Sequence, residues 1–105
     1  MNIDELIVGL PGEDMVRRGL ADYQAGRRSA ESYLVQISRP RLVDCGLLTP
    51  DKSAGVAQPE LELYRLLRQE GGDAYARYNA LSRELVSFGM ALDRRVREAK
   101  QKEAR

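Results

Sequence analysis

Few residues in this chain could do chemistry, and their types narrow the choice. The 105 residues include no histidine and one cysteine, Cys45. Without histidine the commonest general base is missing, along with Ser-His and Cys-His nucleophile pairs and most zinc sites. Cys45 ends an apolar turn just before Gly46, a place for a small buried apolar residue. The acidic pairs Asp4–Glu5, Glu13–Asp14 and Glu60–Glu62 fall near expected helix starts, where carboxylates complement the helix dipole. The glycine strings PGED and EGGD have neither the spacing of a phosphate loop nor a strand before them. The chain is therefore read as a non-enzyme, with no catalytic residue, no cofactor and no metal site.

Two constellations point instead to recognition. In YNALSRELVSFGMALDRRVREAK, residues 78–100, the side chains of Tyr78, Leu81, Leu85, Phe88, Leu92 and Val96 recur at intervals of three and four. That spacing draws one stripe along a helix. The stripe serves either the chain's own core or a contact with a second copy or another protein. Gly89, in the middle of this helix, marks either a close approach of another helix or an incidental glycine.

The second constellation is SRPRLVDCG, residues 38–46, with Val35 and Ile37 before it. It resembles the centre of a helix-turn-helix. The resemblance implies that Val35, Ile37 and Leu42 pack inward and that Arg39 and Arg41 face phosphates or base edges. Gln36 stands where that motif usually has glycine, and Gly46 ends the would-be recognition helix after barely two turns. The C-terminal run adds Arg94, Arg95 and Arg97, then Lys100, Lys102 and Arg105, against Glu98 and Glu103. The plain alternative is that these cations complement a helix C-terminus, with Asp93–Arg97 and Glu98–Lys102 as i,i+4 pairs. Five tyrosines against one phenylalanine suggest either a hydroxyl-lined pocket or, as preferred here, rings in the core with their hydroxyls in water.

Bulk composition supports one globular domain. A content of 43% hydrophobic and 31% charged residues is too apolar for disorder and too charged for a membrane protein. No stretch approaches the roughly eighteen apolar residues of a spanning helix. The start MNIDELIVGL has no basic region and is not read as a secretory signal. A net charge of +1 gives no global attraction to nucleic acid or membrane. The single cysteine suits the cytoplasm.

The elements that must position these residues are helices. Asn2 and Glu5 form a capping box for a short first helix, with Ile3, Leu6, Ile7 and Leu10 on one face. A second helix opens at Pro11–Gly12 and stops at Gly26; a third starts after Ser29. Pro40 breaks it before one more turn, RLVDC, closed by Gly46. Residues 49–58, TPDKSAGVAQ, read as a linker. PELELYRLLRQE follows, apolar over a wide arc, then Gly71–Gly72, then Asp73 as cap of a last helix to about residue 100. The expected fold is all-α, with four to five helices in a single domain. Residues 1–48 pack on a C-terminal hairpin, 59–100, whose second arm is long, and 101–105 form a frayed tail. The leading expectation is a small cytoplasmic interaction module, a homodimer or adaptor using the long helix. The alternative is a nucleic-acid-binding regulator.

Overall fold

The computed structural model describes residues 3–48 and 56–103. Among these the fold is all-α: α1 Ile3–Ile7, α2 Glu13–Gln24, α3 Ala30–Ile37, α4 Arg39–Asp44, α5 Pro59–Glu70 and α6 Ala74–Glu103. The turn expected after Pro40 is the short helix α4. Asn2 and the first seven linker residues, 49–55, lie outside the described residues. The helix boundaries follow from local chemistry. Ser29 accepts a hydrogen bond from the Ser32 N–H at 3.1 Å and caps α3. Asp73 accepts one from the Ala76 N–H at 3.0 Å and caps α6. Gly26 and Gly46 stop α2 and α4 with positive φ, and the two crossed bonds of a Schellman turn form at each: Arg27 N–H to Asp22 O and Gly26 N–H to Tyr23 O, then Leu47 N–H to Leu42 O and Gly46 N–H to Val43 O.

At the centre lies α3, where Ser32, Tyr33, Leu34 and Val35 are all buried in consecutive positions. A helix buried around so much of its circumference needs neighbours on several sides. It packs on α2, on α5, and more lightly on α4 and α6. The α2–α3 contact depends on Gly19. A Cβ built there would lie 2.4 Å from the Glu31 carbonyl oxygen and 2.5 Å from a methyl of Val35. Backbone therefore sits against backbone, a closeness that only glycine allows.

The C-terminal hairpin forms as expected, with α6 antiparallel to α5. Their first contact includes an edge-to-face pair of Tyr64 and Tyr78, ring centroids 5.9 Å apart and planes at 72°. In α5 the burial is narrower than its apolar sequence suggests: Leu63 and Leu67 are buried, Tyr64 and Leu66 half-buried, and Leu61 exposed. α6 is longer than expected. Its 30 residues span about 45 Å and account for most of the molecule's 51 Å long axis. Residues 101–103, expected in a frayed tail, continue the helix.

Gly19→Ala tests the α2–α3 contact, because the two effects of the change have opposite signs. Helix propensity alone would favour alanine by up to about 1 kcal/mol. The backbone collision should reverse this, with a net loss of about 1–3 kcal/mol in urea denaturation. A more stable variant would show that the two helices separate easily.

Candidate functional site

The long helix divides into an inner and an outer side. Leu85, Phe88 and Leu92 are 8%, 1% and 0% exposed, so the middle of the sequence stripe lies within the chain's own core. Tyr78, Leu81 and Val96 are half-buried along its margins. Elements from both halves of the chain cover the stripe. The Gly12 turn faces Glu84 and Phe88, and the α3–α4 junction lies beside Leu85. Of the two readings of the stripe, its three middle residues follow the core one. In the folded monomer Leu85, Phe88 and Leu92 have no surface to offer, and only Tyr78, Leu81 and Val96 reach the edge.

Nor does the structure assemble the expected basic residues into one surface. One residue, Ser38, separates α3 from α4, where a helix-turn-helix has a turn of about three or four residues. α4 has six residues, about 9 Å, too short to lie along a major groove. Val35 and Leu42 are buried and Ile37 is half-buried, as the resemblance implied, but they serve the general core. Arg39 is half-buried. Arg41 crosses α6 at Gly89, and its Nε lies 3.4 Å from the Asp93 carboxylate. A Cβ at Gly89 would lie 1.7 Å from the Arg41 guanidinium, so the close approach there is by a side chain rather than a helix. Arg95 is drawn to α1. Its Nη1 donates to the carbonyls of Glu5 at 3.5 Å, Leu6 at 3.3 Å and Val8. The last turn of α1 has no basic residue of its own, so Arg95 supplies charge and donors to carbonyls that a helix end leaves unpaired. Arg94 and Arg97 are exposed.

Arg97 shares an open groove of about 600 Å³ with Arg41, Asp44, Cys45, Asp93, Val96 and Lys100. Cations and carboxylates are interleaved there, so the groove has no strong field of either sign. Burial pushes the Cys45 thiol up from its ordinary range, and its Sγ lies 3.4 Å from the Leu42 carbonyl oxygen. A thiol held protonated is a poor nucleophile. Tyr23 and Tyr33 line a smaller groove of about 270 Å³ with Arg27, Arg28, Ser32 and Gln36. Gln36 closes its floor, accepting from the Val56 N–H at 2.8 Å and donating to Ser32 Oγ at 3.2 Å.

A feature missed in the sequence is the outer apolar pair of α6. Val86 and Met90 are 58% and 66% exposed. Successive helix positions turn by about 100°, so Val86 faces away from the core that Leu85 enters. Met90 follows one turn later. Grooves flank Val86 on both sides, one of about 310 Å³ with Ile37, Ser38, Pro40, Arg41 and Leu85, the other with Asn79, Ser82, Arg83 and Ser87. The spacing of 86 and 90 was visible, but the continuous inner stripe masked it.

No helix among the described residues is long and apolar enough to cross a membrane. No protein-family model, curated protein or solved structure matches the chain.

Two measurements check these assignments. Arg95→Ala should cost about 1–2 kcal/mol and speed hydrogen exchange in α1, while Arg94→Ala leaves both near their starting values. Equal effects of the two changes would remove the capping role. At Gly89 a double-mutant cycle is informative. In an Arg41→Ala background, Gly89→Ala should stabilise the chain by up to about 1 kcal/mol, and in the parent it should gain less. Equal gains would mean that Arg41 does not occupy the glycine.

Proposed function

We propose that this chain is a small cytoplasmic protein-interaction module whose contact surface is the outer side of α6. The carrying observation is the pair Val86 and Met90, two large apolar side chains more than half exposed, one turn apart on one helix. Scattered single hydrophobic residues on a surface need no explanation, but contiguous ones mark contacts. Here the pair adjoins a groove lined by Ile37, Ser38, Pro40, Arg41 and Leu85. A rigid helix face beside a groove suits the docking of another helix. The cytoplasmic setting rests on the single cysteine.

The nucleic-acid reading has less support in the structure. Three of its five arginines, Arg39, Arg41 and Arg95, are engaged within the chain. The surface charge around the others is mixed.

Native mass spectrometry of the chain purified gently from its host lysate tests the proposal. Association with a protein, whether a second copy or another chain, should be lost in Val86→Glu and Met90→Glu, with helicity and melting temperature kept. Leu92→Glu should unfold the chain, as expected for a core position. A chain that travels alone, or an association indifferent to residues 86 and 90, would overturn the reading.

A further inference from the structure

We infer that the occupant of this surface is a second copy of the same chain, docked with its α6 antiparallel. The inference rests on the interaction-module reading and adds to it a partner and a register. Two observations point the same way.

The surface carries both a knob and a hole. Met90 projects into solvent, and the groove lined by Ile37, Ser38, Pro40, Arg41, Leu85 and Val86, more apolar than polar, opens one turn earlier on the same helix. A twofold axis between the two positions places Met90 of each copy at the groove of the other, the self-complementary arrangement of an isologous dimer. An unbranched thioether side chain fills such irregular apolar space readily.

The charges follow the same register. Arg83 stands three residues before Val86, and Asp93 stands three residues after Met90. With Val86 of one copy against Met90 of the other in an antiparallel pair, Arg83 faces Asp93 of the second copy, and the symmetry repeats the pair. Both side chains are on exposed residues, and Arg83 has no ion pair within its own chain among the described residues. Asp93 is held on this side of α6 by Arg41. At the ends of the pair Asn79 meets Arg97.

The parallel alternative fails on the same residues. In-register parallel helices would set Arg83 against Arg83 and Asp93 against Asp93, and like charges across an interface are repulsive. They would also set Met90 against Met90 and leave both grooves empty. The apolar contact per copy is small, so the dimer is reversible and depends on concentration.

The test uses disulfide trapping of the full chain in a Cys45→Ser background. One protein carries Arg83→Cys and another Asp93→Cys. In the mixed dimer one engineered pair can form a disulfide, while the other site keeps its native Arg83–Asp93 pair. Under a glutathione redox buffer the mixture should give a crosslinked heterodimer at about tenfold or more the yield of either protein alone, since each alone holds its thiols about 15 Å apart along the axis. Preferential crosslinking of Arg83→Cys with itself would overturn the antiparallel register. Sedimentation of the unmodified chain should show a concentration-dependent dimer. A monomer at every concentration would overturn the second-copy occupant. If Val86→Glu still abolished binding to a different protein, the module reading would stand without this inference.

Discussion

The structure depends on covering the inner side of α6. This helix is longer than any other element, and its apolar stripe cannot stay in water. No single partner helix among the described residues is long enough to shield it. α5, with twelve residues, reaches only its first part, through contacts such as Tyr64 with Tyr78. The rest is covered by elements far away in sequence: the Gly12 turn at Phe88, the α3–α4 junction at Leu85, and α1 beside Arg95. The connections of the N-terminal helices are tight because the segments must change direction within a few residues.

Two glycines and two arginines set how closely these pieces fit. Gly19 lets the α2 and α3 backbones touch, which places α3 deeply enough to pack on α5 as well. Gly89 leaves a gap on α6 that the Arg41 guanidinium fills. The ion pair that Arg41 then makes with Asp93 is exposed and worth little in itself, at most about 1 kcal/mol. Its effect is on position, since it holds Asp93 on the outer side of the helix beside Met90. Arg95 does comparable work for α1, closing a five-residue helix that would be marginal alone. Residues that look like a basic patch in the sequence thus belong partly to the architecture.

Helix existence, most boundaries and the hairpin were legible in the sequence because they rest on local rules. Capping by Ser29 and Asp73, stops at Gly26 and Gly46, the break at Pro40 and the three-four spacing of apolar residues all act over a few positions. The candidate surface was legible only in part. Val86 and Met90 have the same spacing as a core pair, and exposure cannot be read from spacing. The uses of Arg41 and Arg95 were also hidden. Arg95 meets carbonyls 87 to 90 positions earlier, a separation no local pattern reports.

The sequence by itself determined that this is an all-helical domain, roughly where each helix begins and ends, and that histidine chemistry and an internal disulfide are impossible. Those conclusions follow from backbone geometry, side-chain periodicity and the inventory of reactive groups. Tertiary structure decided which side of α6 is core and which is surface, that the Leu85–Phe88–Leu92 stripe faces inward, and that Arg41 and Arg95 are used within the chain. The physical reason is that burial and long-range pairing depend on what the other helices bring to a given face. An amphipathic stripe states that it must be covered; only the assembled fold determines what covers it.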